Sequence, residues 1–567
     1  MNAPRGTVLV GTIDMQIRNI QMKNKIVYVC TLVVVLLTLA GCGKKSDDRD
    51  DYLKIAITNN VITLDPQQAA MAVDVEIIDD CNVGLFKLNA DDELVPADAE
   101  NYEVSDDGLI YTFHLRDTYW SNGDPLTAND YVYAFRRGVS GQFDYSGYLG
   151  DVAHIKGADD ILYNGADPEN LGVYAEDEHT LIIELDTPVS FLPSILTMPI
   201  CYPLNEKFME SLEEGMYATS PQNYVSNGPF TLEEYIPGTA SIAVKKNPLY
   251  WDADNVTLSG ISYQVVSNSG VALSAYQVGQ IDFMKITGNQ VKLLENDPEL
   301  SEQIDFEPSS SFYYLMLNMT EDRFENVNLR AAMSCAIDRY YLTDDVLNGM
   351  ASETYGVVPK EIVYNTVTGE DFSADADKYR ELYADPDKKD EYFELAKKEL
   401  GEDKFNIRLL ALQTHSELAQ ALKSNLEEEL PGFNITLDVL PIAEAFQKGV
   451  GHDFDIMLFS WQGDYADPTA YLDLFKKGNN YNFGLWNDDE YSNLLYECAN
   501  GKYSADYEAR WKALHEAEDR LLSEHAIIPL LTGKWSYLIS DRVKGLEFHV
   551  MGLTDYSHVV INDEEKQ

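Results

Sequence analysis

Side chains that could carry out covalent or metal chemistry are scattered through this chain rather than gathered into motifs. Its nine histidines show no metal-ligand spacing, and HExxH, GxSxG and Walker A motifs are absent. Four cysteines follow residue 42 without forming a CxxC pair: Cys81, Cys201, Cys335 and Cys498. We interpret them as isolated buried thiols, with one long-range disulfide as the alternative. The residues favour binding over catalysis, and no cofactor or metal is expected.

One further cysteine, Cys42, closes an N-terminal segment with its own chemistry. A basic patch and a 15-residue apolar run from Ile26 to Ala40 precede it. This run is too short to span a bilayer comfortably and is typical of a signal-peptide core. Residues 39–42 resemble a bacterial lipobox, which implies that the Cys42 thiol is acylated and that residues 1–42 are removed as a lipoprotein signal peptide. The alternative is an ordinary signal peptide with an incidental cysteine.

The chain start and the segment after Cys42 are also informative. Met22 begins a conventional signal sequence, so translation could start there rather than at Met1. Residues 43–51 are polar and lack apolar periodicity, which predicts a flexible tether before a globular part that begins near Tyr52.

The charge balance limits the partners of this protein. The sequence has 42 basic and 95 acidic residues, a net charge of −53. Such a surface repels nucleic acid, which we therefore exclude as a partner. An acidic surface usually serves solvation, with attraction of cationic peptides as the alternative.

Strand and helix patterns alternate along the chain and indicate an α/β protein. Residues 102–104 and 109–116 predict a hairpin with Asp107-Gly108 in the turn. Further strands are expected at 180–185, 235–244, 312–317, 407–412 and 435–439. Two amphipathic helices are predicted, one after Asn328 as the capping residue and one after Ser504. Their apolar positions are Leu329, Ala332, Met333, Ala336 and Ile337 in the first, and Tyr507, Trp511, Leu514, Ala517 and Leu521 in the second.

Several segments share an order and spacing that are specific as a set. They are residues 63–66, 94–97, 104–108, 111–116, 120–130, 171–173, 226–230, 247–251, 329–332, 336–339 and 461–468. Together they resemble the peptide-binding lipoproteins of oligopeptide and dipeptide ABC importers, the bacterial extracellular solute-binding protein family 5. The resemblance covers nearly the whole chain after the tether.

The resemblance implies a fold and a division into lobes. The fold is an α/β, two-lobed periplasmic-binding-protein type II clamp with an extra inserted domain. The expected lobes are lobe I at 52–86, 201–310 and 535–567, lobe II at 87–200, and lobe III at 311–534.

The resemblance also implies a ligand site in the segment 461–468. Asp464 occupies the position whose carboxylate holds the peptide α-amino group in similar proteins, and Gly463 precedes it. The alternative for Asp464 is a loop aspartate that satisfies backbone amides. Trp461 and Tyr465 are expected to wall the pocket, with core packing as the equal alternative. Asp467 is instead predicted to cap a helix, with Pro468 at its first position.

Two other regions line the ligand in the family, and both are expected to do so here. From lobe II these are Tyr145 or Tyr148, and from lobe I the loop that includes Ala70 and Met71. The chain departs from some relatives where basic residues meet the peptide carboxylate. The roughly aligned positions are Leu347, Gly449 and Leu458. This departure puts a fixed dipeptide length in doubt.

The function implied is that of a monomeric, lipid-anchored receptor outside the cytoplasmic membrane. It captures peptides and delivers them to an ABC permease and ATPase complex. Within the same fold, the alternative ligands are a nickel complex, haem or another small solute. A chaperone, an adhesin or a pheromone sensor is the alternative from another class. An extracellular hydrolase is disfavoured because no nucleophile and base motif is present.

Overall fold

The computed structural model describes residues 51–90, 92–140, 143–365, 367–550 and 552–562. The predicted signal peptide, Cys42 and the predicted tether up to residue 50 lie outside these residues. In the described ranges, no helix combines the length and the apolar character needed to cross a membrane.

Strands and helices alternate along the chain, as the pattern predicted. The strands are Leu53–Ile57 (β1), Phe86–Leu88 (β2), Leu94–Pro96 (β3), Ala99–Val104 (β4), Ile110–Leu115 (β5), Val173–Asp177 (β6), Thr180–Glu184 (β7), Phe230–Glu234 (β8), Ser241–Lys246 (β9), Gly260–Val265 (β10), Phe283–Lys285 (β11), Ile304–Leu317 (β12), Ala351–Glu353 (β13), Phe405–Leu412 (β14), Phe433–Leu440 (β15), Ile456–Gln462 (β16), Ile527–Ile539 (β17), Val543–Lys544 (β18), Glu547–Phe548 (β19), Thr554–Asp555 (β20) and Val560–Ile561 (β21). The α-helices are Ala72–Cys81 (α1), Ala128–Gly138 (α2), Ala158–Asn164 (α3), Leu192–Ile195 (α4), Glu206–Ser211 (α5), Ser269–Gln277 (α6), Gly288–Leu294 (α7), Val327–Ala336 (α8), Lys378–Tyr383 (α9), Lys389–Leu400 (α10), Ser416–Glu429 (α11), Ile442–Val450 (α12), Thr469–Leu472 (α13), Asp489–Ala499 (α14) and Tyr507–Ser523 (α15).

One large mixed sheet contains strands from both halves of the sequence. Its strand order is β15-β14-β16-β12-β17-β11-β1-β10-β9-β8, with β13 added beside β17. β12 and β17 are the long strands at its centre, and they pair antiparallel along most of their length. The pairing of β12 with β17 shifts register between Pro308 and Phe312, so the hydrogen-bond ladder is interrupted there. Proline lacks the N–H that a ladder requires, which accounts for the break.

A separate four-stranded sheet has the order β4-β5-β7-β6, and all of it lies within 87–200, the segment expected to form lobe II. The predicted hairpin is confirmed. β4 and β5 pair antiparallel, and Gly108 adopts a φ of 71° in the turn. Tyr111, Phe113 and Leu115 are buried on one face, as their alternation predicted. The lobe boundaries themselves stay a prediction.

Two local predictions were wrong. The strand expected at 235–244 is interrupted, because Pro237 and Gly238 form a turn between β8 and β9, with Gly238 at a φ of 81°. The cap of α8 is Asn326 rather than Asn328. The Asn326 side chain accepts a hydrogen bond from the Leu329 N–H at 2.9 Å, whereas Asn328 lies inside the first turn.

The predicted core faces of the two helices are confirmed. In α8 the apolar positions Leu329, Ala332, Met333 and Ala336 are buried. In α15 Leu514, Ala517 and Leu521 are buried and Trp511 is partly buried against the same cluster. Cys81, Cys201, Cys335 and Cys498 are free and buried, as interpreted from their spacing.

Candidate functional site

Asp464 meets Tyr148 although the two residues are 316 positions apart in the sequence. Asp464 follows the end of β16, and Tyr148 begins a short π-helical turn that ends at Val152. The Tyr148 hydroxyl donates a hydrogen bond to Asp464 Oδ2. Two residues that the resemblance assigned to opposite walls of a ligand site are therefore in direct contact.

The Asp464 carboxylate is largely shielded from water. Burial raises the pKa of this carboxyl above its ordinary value, while the Tyr148 hydrogen bond acts in the opposite direction. The pKa of Tyr148 is raised by burial and then by the neighbouring Asp464 charge. A cationic group placed here would be attracted more strongly than at the surface, since little water screens the carboxylate.

Aromatic rings surround this hydrogen bond. The Tyr145 and Tyr148 ring centroids lie 5.4 Å apart, and the Tyr465 centroid lies 6.4 Å from that of Tyr148 in an edge-to-face arrangement. Phe191 stacks on Tyr465 at 5.5 Å and an interplanar angle of 9°. Such rings offer π faces to a cation and apolar area to side chains.

The backbone on the N-terminal side of Asp464 is fixed by a close approach at Gly463. A Cβ at Gly463 would lie 2.6 Å from the Tyr471 hydroxyl oxygen, so no other residue fits. That hydroxyl donates to the Ser310 carbonyl at 2.9 Å. Gly463 is buried, and it allows the loop to lie against β12.

The C-terminal side of the same loop is fixed by Asp467. Its carboxylate accepts hydrogen bonds from the Thr469 N–H at 3.0 Å and the Thr469 hydroxyl at 2.6 Å. Helix α13 is assigned from Thr469, but Pro468 already has helical dihedral angles, φ −58° and ψ −26°. The Asp467 carboxylate therefore performs the predicted capping of this helix start, with Pro468 directly after it.

Asp467 also has a partner that the sequence did not indicate. Arg510 of α15 forms two hydrogen bonds with it, each 2.7 Å long. The side chains of both residues are almost fully buried. A buried, two-pronged ion pair of this kind holds the loop rigidly.

The wall that faces the loop comes from the segment around α4. The Ala466 N–H donates to the Ser194 hydroxyl at 3.2 Å. The Arg510 guanidinium carbon lies 4.8 Å from the centroid of the Phe191 ring. Phe191 and Ser194 thus complete the surroundings of Asp464.

The lobe I loop is held by a second ion pair. Arg137 of α2 donates to Asp65 Oδ1 at 3.0 Å and to Gln67 Oε1 at 2.7 Å. Ala70 and Met71, which follow in the chain, are exposed. Among the described residues, no hydrogen bond joins either of them to Asp464. They stay predicted ligand residues.

Trp461 lies at the edge of the site. Its indole N–H donates to the Ala470 carbonyl at 2.9 Å, and its ring centroid lies 4.8 Å from that of Tyr481. The side chain packs on the buried cluster of β16 and stays partly exposed. This arrangement is compatible with either role left open for it.

The positions that lack a basic residue are apolar in their surroundings as well. Leu458 is fully buried in β16, and a Cβ at Gly449 would lie 3.1 Å from the Phe483 ring. His415 lies 3.3 Å from the Ser460 hydroxyl. Burial lowers the pKa of His415 to about 4, so this side chain is neutral at pH 7. Within the described ranges, no group of three or more histidine, cysteine, aspartate or glutamate side chains could hold a metal ion.

Sequence reasoning did not find Phe191, Ser194, Arg137 or Arg510. Asp65 and Asp467 each precede a proline and each pair with an arginine, but Asp-Pro occurs at four other places in the sequence, so the dipeptide alone does not identify these pairs. The arginines could not be chosen from the sequence, because they are distant along the chain and their helices are otherwise ordinary.

Comparisons with known proteins show the family and the fold of this chain. Residues 93–483 match the model of the bacterial extracellular solute-binding proteins, family 5 middle region. The dipeptide-binding protein of Lactococcus lactis subsp. cremoris (strain MG1363) is 28% identical over 93% of this chain and 98% of its own length. The oligopeptide-binding protein OppA of Bacillus subtilis (strain 168) is 28% identical over 93% of this chain and 97% of its own.

A solved structure shares the fold. The peptide-bound OppA of Listeria monocytogenes superposes with a TM-score of 0.68 at 28% identity, over 90% of this chain and 99% of that one. The mixed α/β architecture and this similarity agree with the predicted two-lobed type II binding-protein fold.

Proposed function

The chain belongs to the bacterial extracellular solute-binding proteins of family 5, and on that premise we propose that it captures peptides and delivers them to an ABC importer. The contact between Tyr148 and Asp464 is the observation that carries the proposal. It joins two distant segments around one shielded carboxylate. Relatives that match nearly the whole chain are named for dipeptide and oligopeptide binding.

The proposed recognition step is an exchange at Asp464. A peptide ammonium replaces the Tyr148 hydroxyl as the principal donor to the carboxylate, and a charged donor binds more strongly than a neutral one. The surrounding rings of Tyr145 and Tyr465 exclude water and contact the first side chain of the peptide. The ligand stabilises the closed arrangement through these contacts, and the closed protein then docks on the permease.

The remaining binding energy comes from parts that all peptides share. An extended peptide pairs its backbone with a strand or loop edge, which gives affinity without dependence on sequence. We propose that Ala70 and Met71 provide one such edge and that Gly463 lies on the other. Leu347, Gly449 and Leu458 offer no cation, so peptides longer than a dipeptide are expected as ligands.

Catalysis is not part of the proposal. The family is one of solute-binding proteins, and we infer that the bound peptide is released intact to the permease. Incubation of the protein with labelled peptides, followed by separation of the products, tests this inference. The appearance of cleavage fragments at a rate above that of buffer alone would overturn it.

The anchoring and location of the protein are further parts of the proposal. We infer that acylation of Cys42 tethers a monomer to the outer face of the cytoplasmic membrane, close to the permease. One acyl chain binds reversibly, so multiple acylation is expected. Metabolic labelling with a fatty acid should mark the wild type and not Cys42→Ala. Equal labelling of both would exclude this site.

The decisive experiment measures ligands and affinity together. Small molecules released from the denatured protein are identified by mass spectrometry, and calorimetry measures binding of a mixed peptide library. We expect peptides among the released molecules. Asp464→Asn should weaken their binding at least about tenfold, or 1.4 kcal/mol.

The matched control is Asp144→Asn, because it removes the same charge from an exposed position next to Tyr145. Its affinity should stay within about twofold of the wild type, as is usual for screened surface charges. A nickel complex, haem or another non-peptide ligand that ignores Asp464→Asn would replace the proposed substrate and site while leaving the fold unchanged.

A further inference from the structure

Arg510 contacts three separate parts of the molecule. It projects from α15, forms a two-pronged ion pair with Asp467 and donates from Nε to the Cys498 carbonyl at 3.2 Å. Its guanidinium also lies over the ring of Phe191. One side chain therefore contacts the loop 463–467 that carries Asp464, here called the ligand loop, together with α14 and the wall at Phe191.

The span that Arg510 controls is short. Gly463 is fixed against Tyr471 on one side of Asp464, and Asp467 is fixed by Arg510 on the other. Between these points lie only three residues, 464–466. With both ends held, the backbone that carries Asp464 has little freedom to move, and the Tyr148 hydroxyl contacts its carboxylate.

Phe191 extends this control to the aromatic wall. Its ring stacks on Tyr465 at 5.5 Å, and the guanidinium of Arg510 lies 4.8 Å from the ring centroid. A shift of Arg510 therefore changes the loop and the stacked pair together.

We propose that Arg510 is a positioning residue for ligand binding, which acts through Asp467 and Phe191 to orient the Asp464 carboxylate. This inference rests on the proposed function. The planar fork of arginine matches both carboxylate oxygens at once and stacks on a ring, whereas the lysine ammonium is a single point charge. Lysine at this position keeps the charge and loses the geometry.

The same helix offers a matched control. Arg520, also in α15, forms a two-pronged pair with Asp488 at 2.7 Å for each bond. Asp488 caps α14, much as Asp467 supports α13. Arg520 also pairs with Glu490 at 2.8 Å, and within the described part of the chain no cation–π contact joins it to Phe191 or Tyr465. Arg520→Lys thus repeats the chemical change without the proposed connection to the ligand loop.

The test measures calorimetric affinity for a free-amine peptide with the full-length protein purified in detergent. Arg510→Lys should weaken binding at least about fivefold, or 1 kcal/mol, while Arg520→Lys stays within about twofold. Thermal unfolding of both variants, measured alongside, separates loss of folded protein from loss of affinity. An Arg510→Lys protein that is folded and binds like the wild type would overturn the proposal.

A double-mutant cycle provides the readout that a purely structural role would not change. If Arg510 acts by orienting Asp464, Arg510→Lys should reduce the peptide affinity by less than about twofold in a protein that already carries Asp464→Asn. Full multiplication of the two losses would show that Arg510 acts independently of Asp464, which would overturn the inference. Binding that falls in Asp464→Asn but not in Arg510→Lys removes only this inference. Failure of the wild type to bind any peptide removes the proposed function as well.

Discussion

Two loops of the molecule share one supporting arrangement but present different chemistry. In each, an aspartate directly before a proline pairs with an arginine from a helix, and the guanidinium lies 4.8 Å from a phenylalanine ring centroid. The first set is Asp65, Arg137 and Phe143, and the second is Asp467, Arg510 and Phe191.

The difference lies in burial and in what each loop displays. The Arg137 side chain is 21% exposed, whereas that of Arg510 is 3% exposed. The loop beyond Asp65 leads to the exposed Ala70 and Met71, and the loop before Asp467 carries the shielded Asp464. The more deeply buried pair, Asp467 with Arg510, thus supports the loop with the Asp464 carboxylate, the group whose orientation matters most for the proposed binding. The same dipeptide stands in both loops, but it occurs at four other places in the sequence as well, so it predicts neither the ion pair nor what the loop displays.

The largest expected effect separates the two ion pairs by stability. Arg510→Met leaves the buried Asp467 without its cation and should lower the free energy of unfolding by about 3–5 kcal/mol. Arg137→Met should cost about 1–3 kcal/mol, because the Arg137 side chain is 21% exposed and water can reach the carboxylate that it leaves. Urea denaturation measures both. Equal losses would show that burial does not distinguish the pairs.

The next effect is a pH dependence of peptide affinity, which only the loop that carries Asp464 should confer. Burial raises the pKa of Asp464. The proposed ion pair with a peptide ammonium requires the ionised form of this carboxyl. Affinity should therefore be full at pH values above that pKa and fall about tenfold per pH unit below it. The decline should begin at a higher pH than for an ordinary aspartate.

Calorimetry from pH 8 downwards checks this expectation in the wild type and Asp464→Asn. In Asp464→Asn the peptide affinity should not change over the same pH range, because the titrating carboxyl is gone. The affinity that remains then includes the contribution of the loop with Ala70 and Met71. A decline of equal size in the variant would assign the titration to another group.

A smaller effect should distinguish the two phenylalanines. Phe191 contacts both Arg510 and Tyr465, so Phe191→Leu should weaken peptide binding by about 0.5–1.5 kcal/mol. Phe143 lies over Arg137, which holds the other loop, and Phe143→Leu should change the affinity less than about twofold. Competition binding with a fluorescent peptide measures both variants. The comparison fails if Phe143→Leu has the larger effect.

The smallest expected effect concerns the hydroxyl that contacts Asp464. Tyr148→Phe removes a hydrogen bond that lowers the pKa of this carboxyl, so the pKa should rise further. The pH at which binding declines should then move upwards, while affinity at high pH changes little. A midpoint that moves to lower pH would contradict the assigned direction.

The sequence predicted the layers of this fold better than its connections. Alternation identified β5, and the helical stripe identified α8, because both patterns reflect a local contrast between a buried and an exposed face. The break at Pro237-Gly238 was missed because the flanking apolar residues continue the strand pattern across it. The cap at Asn326 was missed because Asn328 is chemically as suitable, and only the backbone conformation separates them.

For the site, the resemblance supplied Asp464 and Tyr148, but no local rule could pair them. Their contact depends on packing across 316 positions. The same holds for Arg510, whose helix has an ordinary amphipathic pattern that says nothing of Asp467. Pair contacts of this kind are set by tertiary structure, which a single sequence does not encode locally.

The position of β17 in the large sheet has a consequence for how the protein is made. This strand, Ile527–Ile539, is synthesised near the end of the chain, yet it lies between β12 and β11 at the middle of the sheet. Until it emerges, each of these two strands has one edge without a partner. Unpaired strand edges invite pairing with other chains. The newly made protein therefore passes through an aggregation-prone stage that ends only when its C-terminal segment arrives.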